Sequence, residues 1–201
     1  MRTLAIETAT AACSVALIED GRVVDYAHEI VERGHAERLL PMIAALDRGG
    51  RADRIVVDVG PGSFTGVRVG VAAARALGFG WGVPVTGFHS LALIAASDTH
   101  GGPKLVAIEG GHGQVFVARY DALPLREAEA ARSMSRDEAM AMPAERIIGN
   151  AALSIAAARA DTTTEDIGPD ARSVARLPAE LCTLAPTPFY GREADAKPMK
   201  S

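Results

Sequence analysis

Apolar residues along this chain recur with two periods, and the switches between them mark out the elements. Thr3 to Glu7 and Cys13 to Ile18 are short apolar runs with the length of buried strands. Asp20-Gly21 between Ile18 and Arg22 predicts a two-residue hairpin, because Asp-Gly supplies the positive φ that such turns need. Arg22 to Glu29 is then the third strand of an antiparallel meander. From His35 to Asp47 the period becomes helical, with Leu39, Leu40, Ile43 and Leu46 on one face. Pro41 interrupts that helix and predicts either a kink or a start near Arg38. Arg54 to Val59 is the next strand, followed by a glycine-rich turn and a helix rich in alanine and glycine that runs to Gly82. A short strand after Pro84 and a helix from Ser90 to Ala96, capped by Ser90, close the first half.

Asp98-Thr99-His100-Gly101-Gly102-Pro103 reads as a linker. Beyond it the pattern restarts, with strands at Leu105 to Ile108 and Val115 to Tyr120 around a glycine turn. Ser135-Arg136-Asp137-Glu138 is a capping box opening a short helix that Pro143 stops. A strand at Arg146 to Gly149, a helix at Ala151 to Ala160, a polar loop at Thr162-Thr163-Thr164 and a helix at Pro169 to Leu177 complete the pattern. The expected organisation is α/β in two related units, 1–98 and a smaller 104–201, with the tail folding back on the first.

Composition narrows the function classes. Hydrophobic residues make up 48% of the 201 and aromatic residues only 4%, so the core is aliphatic. A net charge of -4 disfavours a freestanding nucleic-acid binder. Met1-Arg2-Thr3-Leu4-Ala5-Ile6 reaches Glu7 before a secretory h-region could form, and the apolar stretch from Val67 to Val85 contains Arg68 and Arg75. A cytoplasmic protein without a membrane span is expected. Cys13 and Cys182 are too few for a disulfide scaffold or a zinc site and read as buried thiols in a reducing compartment.

The stretch Val59-Gly60-Pro61-Gly62-Ser63-Phe64-Thr65-Gly66-Val67-Arg68-Val69-Gly70 is the strongest local signal. A strand, a glycine turn and a helix start could cradle an anion on backbone N–H groups. The nucleotide fingerprints fail, however. Gly66 is followed by Val67-Arg68 rather than Lys-Ser/Thr, and the Gly60, Gly62, Gly66 spacing is one residue too long for a dinucleotide loop. Ser63 lacks the G-x-S-x-G frame of a hydrolase and reads as a cap. Glu7, ending the first strand, could hold a metal through water or cap its own turn. His28, His35, His89, His100 and His112 are scattered, and no two share helical i, i+4 spacing. Gly66, Gly70, Ala74, Gly78 and Gly82 recur every four residues, a side-chain-poor stripe serving either the core or a partner. The residues by themselves show no assembled active site, and a binding or scaffold role is the economical reading.

Ile6-Glu7-Thr8-Ala9-Thr10, Cys13-Ser14-Val15-Ala16-Leu17, the Gly60-to-Gly70 run and the tail Pro188-Phe189-Tyr190-Gly191-Arg192-Glu193-Ala194-Asp195-Ala196 together resemble the TsaB (YeaZ) family. The resemblance is close over the first hundred residues and loose beyond. It implies an actin-like/Hsp70-like (ASKHA) fold of two RNase H-like subdomains, each a mixed sheet with an antiparallel meander flanked by helices. It also implies a non-catalytic dimerisation subunit acting beside TsaD, the paralogue that places threonylcarbamoyl on N6 of adenosine 37 in ANN-decoding tRNAs. Implied partners are TsaD, the TsaE ATPase through the complex, and a second copy of the chain when it is alone. Transfer RNA is met only through the complex. No cofactor and no catalytic or metal residues are implied.

TsaD continues its I-E-T with an Asp-Glu pair where this chain has Ala11-Ala12, and its H-x-x-x-H metal ligands fall, counting without gaps, on Ser90 and Ile94. The partner surface that the resemblance implies is carried over to Leu39, Leu40, Ile43, Leu46, Gly66, Val67, Gly70, Val71, Ala74 and Gly78. A vestigial nucleotide or anion site would comprise Glu7, Thr8, Gly62 and Ser63. Two departures stand out: the family's Asp-Ala-Arg is replaced around Glu109-Gly110-Gly111-His112, and the turn from Arg48 to Asp53 is shortened. The rival readings are a metal- or nucleotide-dependent hydrolase of glycoprotease type and a direct tRNA-binding module.

Overall fold

The computed structural model describes residues 1–122, 124–156 and 161–190. Two five-stranded sheets carry the same topology. In the first, β1 (Arg2–Glu7), β2 (Ala12–Glu19) and β3 (Arg22–Ile30) form an antiparallel meander, and β4 (Arg54–Asp58) and β5 (Val85–Phe88) run parallel to β1, giving the order β3-β2-β1-β4-β5. The second sheet repeats this with β6 (Lys104–Glu109), β7 (Gln114–Ala122), β8 (Leu125–Ser135), β9 (Arg146–Ile148) and β10 (Thr163–Glu165), in the order β10-β9-β6-β7-β8. Both Asp20 and Gly21 take positive φ, as the hairpin requires.

Among the described residues five α-helices fill the layers: α1 (His35–Ala45), α2 (Phe64–Trp81), α3 (Ser90–Ser97), α4 (Arg136–Ala141) and α5 (Ala152–Ala156). α1 and α2 cover one face of the first sheet through Leu39, Met42, Ile43, Val67, Val71 and Ala74. α4 and α5 cover the outer face of the second through Ala139, Ala152 and Ile155. α3 lies between the sheets. Leu91, Ala92, Ile94 and Ala95 pack with Val106, Phe116 and Tyr120 of the second sheet, while Leu93 packs with Ala5, Val56 and Phe88 of the first. A helix apolar on every side belongs in such a place.

Several expectations are corrected. α1 begins at His35, as the helical period implies, and carries Pro41 inside it, so the alternative start near Arg38 does not hold. Ser90 is the first residue of α3, not its cap, and its hydroxyl is used elsewhere. The stretch from Asp98 is pinned, since buried Asp98 ion-pairs with Lys104 and Arg146, each at 2.8 Å. β8 carries no strand signal in its sequence, because Glu, Ala and Arg are helix formers; pairing with β7 along its length overrides that preference. Thr163–Glu165 is an edge strand rather than a loop, and Ala171–Arg176 is a 3-10 turn rather than an α-helix. The helix expected at Ala151 to Ala160 is α5 over Ala152–Ala156, and positions 157–160 lie outside the described residues, as does the tail from Gly191. Residues before Gly191 touch the first sheet. Leu184 bridges Gly87, and the Phe189 N–H donates to the Val59 carbonyl at 2.7 Å.

Candidate functional site at the loop before the second helix

The Gly60-to-Gly70 run joins β4 to α2, and its glycines are explained by closeness to the β1–β2 turn. A Cβ on Gly62 would sit 2.1 Å from the Ala9 carbonyl oxygen, one on Gly66 2.0 Å from that of Thr8, and one on Gly70 2.4 Å from Thr8 Oγ1. Real Cβ atoms do not approach so closely, so the loop and helix could not seat with any larger residue. Further along, a Cβ on Gly78 would stand 2.2 Å from Val85 Cγ2. Hydrogen bonds close the contact: Ser63 N–H donates to Ala9 O at 2.7 Å, Thr8 Oγ1 to Gly66 O at 2.8 Å, and Gly66 N–H to Ser63 Oγ at 3.2 Å.

This geometry redirects the interface expectation. Gly66, Val67, Gly70, Val71, Ala74 and Gly78 are buried against the chain's own first sheet, as are Leu39, Ile43 and Leu46 of the α1 region. The repeat from Gly66 to Gly78 is therefore the inner face of α2, because backbone closeness to the first sheet is what the missing side chains permit, whereas exposed Gly82 caps the helix end with a positive φ. Of the residues carried over, Leu40 stands out from the surface, 51% exposed. The outward faces are different residues. On α2 they are Phe64, Thr65, Arg68, Ala72, Arg75, Ala76 and Phe79, the last 92% exposed. The Arg68 guanidinium lies 3.5 Å over the Phe64 ring, and its Nε donates to Tyr190 Oη at 2.9 Å, so the tail residue completes that surface. A cleft of about 510 Å³ opens between the starts of α1 and α2, lined by Glu32, Arg33, Glu37, Ser63, Thr65 and Val69.

The anion reading of Glu7, Thr8, Gly62 and Ser63 meets a direct obstacle. Glu7 is fully buried and caps its own turn, its Oε1 accepting from the Ala9 N–H at 2.8 Å and the Thr10 N–H at 3.2 Å. The loop's Ser63 and Gly66 N–H groups are already engaged within the chain. Beside Glu7 stands a second fully buried carboxylate that sequence reading missed, Asp58, ending β4. Its Oδ1 accepts from the Gly60 N–H and from Ser90 Oγ, both at 2.7 Å. Buried carboxyl oxygens, which accept rather than donate, are poor partners for a phosphate. The signal that could have found Asp58 is its place at the end of the apolar run Ile55-Val56-Val57, level with Glu7 on the neighbouring parallel strand.

Burial, and then the Asp58 charge, push the Glu7 carboxyl well above the usual carboxylate range. Burial likewise raises Asp58, to about 7, against hydrogen bonds from Ser90 and Gly60 that favour its charged form. Two of the histidines hold backbone together. His35 Nε2 donates to Thr10 O and Ala12 O at 2.9 and 3.0 Å, tying α1 to the β1–β2 turn, and His89 Nδ1 donates to Gly60 O at 2.9 Å. Asp98, His100 and Glu165 approach one another, but Lys104 and Arg146 already neutralise those carboxylates. Ser90 and Ile94, onto which the resemblance carries TsaD's metal ligands, are a hydroxyl bonded to Asp58 and a buried isoleucine.

Residues 27–167 match the family model described as tRNA N6-adenosine threonylcarbamoyltransferase, TsaD. The chain is similar to the tRNA threonylcarbamoyladenosine biosynthesis protein TsaB of Escherichia coli, 42% identical over 129 residues, which cover 60% of this chain and 55% of that protein. It thus spans about half the length of the curated relatives it matches. The solved structure of YeaZ from Pseudomonas aeruginosa superposes with a TM-score of 0.81 at 26% identity, covering 94% of this chain and 99% of that one. The ethanolamine utilization protein EutJ of Carboxydothermus hydrogenoformans, 10% identical with a TM-score of 0.51 over 89% of this chain and 90% of its own, shares the fold alone. Two mixed sheets of one topology, flanked by helices, are the actin-like/Hsp70-like architecture that the resemblance implied. The chain belongs to the TsaD family of tRNA N6-adenosine threonylcarbamoyltransferases, and within it to the TsaB (YeaZ) group.

Proposed function

We propose that this chain is the non-catalytic subunit that pairs with TsaD and supports N6-threonylcarbamoylation of adenosine 37 in ANN-decoding tRNAs. The observation that carries the reading is the fate of the two TsaD ligand positions. Ser90 donates its hydroxyl to Asp58, and Ile94 is buried between the sheets, so the frame of the catalytic paralogue is kept while its metal ligands are replaced. A divalent metal needs several donors in fixed geometry. The pairing surface in this reading is the outward face of α2 from Phe64 to Phe79 with Leu40 of α1. The glycine stripe acts on pairing only by seating that helix on the sheet.

Large exposed aromatic residues on an alanine-lined helix fit a protein–protein contact. The same surface would serve a homodimer when TsaD is absent, and TsaE and tRNA would be met through the complex, in the cytoplasm. Among the described residues no helix is long and apolar enough to cross a membrane. Co-expression with the cognate TsaD followed by size-exclusion chromatography tests the pairing. One co-eluting peak that Phe79→Asp splits is expected, and two separate peaks for the wild-type pair in mild salt would refute it.

A further inference from the structure

Glu7 and Asp58 leave two carboxylate oxygens, Glu7 Oε2 and Asp58 Oδ2, buried and without a hydrogen-bond partner. The sheet brings them side by side. β1 and β4 are parallel neighbours in register at Ile6 and Val57, so the next residues along, Glu7 and Asp58, stand level on the same face. Ala5 and Val56, two positions earlier, belong to the core that faces α3, and both acids therefore point between the sheets at the first turn of α3, where Ser90 reaches Asp58.

No cation compensates them: among the described residues, no Lys, Arg or His forms an ion pair with either carboxylate. Around them, Cys13 of β2 and Tyr120 of β7 feel their charges, and His89 donates to the adjacent Gly60 carbonyl. Asp170, on the 3-10 segment packed below, is paired with Arg172. Two adjacent buried carboxylates cannot both stay ionised without a counter-charge, and an orphaned buried acceptor is costly, more so when charged.

We propose that Glu7 and Asp58 share one proton, as a buried carboxylic acid–carboxylate pair whose single O–H bridges Glu7 Oε2 and Asp58 Oδ2. One proton satisfies both orphan oxygens at once. A bound divalent cation fits worse, because such ions take six or more oxygens and, among the described residues, the only buried side-chain oxygens without a partner are Glu7 Oε2 and Asp58 Oδ2. The bridge ties the β1–β2 turn, which Glu7 caps, to the β4–α2 loop, which Asp58 caps through Gly60. Each carboxyl is easier to ionise in the unfolded chain, so the bridge supports the fold below neutrality and is lost as pH rises through about 7.

The test is a side-chain carboxyl carbon-13 NMR titration of the full-length chain, beside unfolding measured from pH 5 to 9. One of the two carboxyls should remain protonated at pH 6. From pH 5 to about 7 the folding equilibrium constant should fall by up to about tenfold per pH unit, the slope for one proton held by the folded chain alone, and it should level off once the folded pair has ionised. Glu7→Gln and Asp58→Asn should each flatten that slope. Both carboxyls ionised throughout the range would overturn the proposal. So would a slope that survives both substitutions, or a Mg²⁺- or Ca²⁺-dependent rise in stability that Glu7→Gln abolishes. If neither variant folds, the wild-type titration decides by itself.

Discussion

Gly66→Ala and Gly80→Ala place the same methyl group on the same helix with opposite expected consequences. In isolation, alanine favours a helix interior over glycine by about 1 kcal/mol. At Gly80 a Cβ meets nothing within 4 Å, so most of that gain should appear as added stability. At Gly66 the new Cβ would stand 2.0 Å from the Thr8 carbonyl oxygen, which is backbone and cannot swing aside. An ordinary contact needs over 3 Å, so α2 must lift from the β1–β2 turn by roughly an ångström. That movement strains the packing, at about 1–3 kcal/mol. It also breaks the Thr8 Oγ1 to Gly66 O hydrogen bond, at about 1 kcal/mol. After subtracting the helix gain, Gly66→Ala should destabilise by roughly 1–3 kcal/mol. Urea denaturation of both variants against the wild type reads the difference. A Gly66→Ala protein as stable as Gly80→Ala would show that the stripe is not seated on this chain's own sheet.

Three further outcomes follow from other parts of the molecule. Phe79→Ala, at a 92% exposed position, should leave stability within about 0.5 kcal/mol yet weaken TsaD pairing, which paired thermal melts and pull-downs would separate. Asp98→Asn strips the charge partner from nearly buried Lys104 and from Arg146, and should cost about 3–5 kcal/mol by chemical denaturation. Burial raises the Asp98 carboxyl, but hydrogen bonds from Arg146, Lys104 and His100 outweigh it and hold it below the usual range. The stability it contributes is thus present above about pH 4, is lost as pH falls further, and should be missing from the acid limb of the variant's profile. Burial lifts the thiols of Cys13 and Cys182 to about 11, so a native-state thiol assay at pH 8 should label neither until the chain unfolds.

The first meander, the helix after the glycine loop and the capping box at Ser135 were legible because each rests on local signals: alternation, an Asp-Gly turn, a serine three residues before a glutamate. β8 was not, since Leu125–Ser135 holds helix-favouring residues that only β7 turns into a strand. The repeat at Gly66, Gly70, Ala74 and Gly78 was plain, but which way it faces depends on where Thr8 and Val85 lie in space. Asp58 was invisible as half of a pair for a similar reason. Fifty residues separate it from Glu7, and only the parallel register of β1 with β4 makes them neighbours.

Reconstitution of the modification tests the central claim most directly: tRNA, the cognate TsaD, TsaE, ATP and the threonylcarbamoyl donor are combined with and without this chain, and modified adenosine 37 is quantified. Modification is expected to require TsaD, to rise strongly when this chain is added, and to fall back with Phe79→Asp. Modification by this chain without TsaD, or a TsaD rate indifferent to its presence, would contradict that claim.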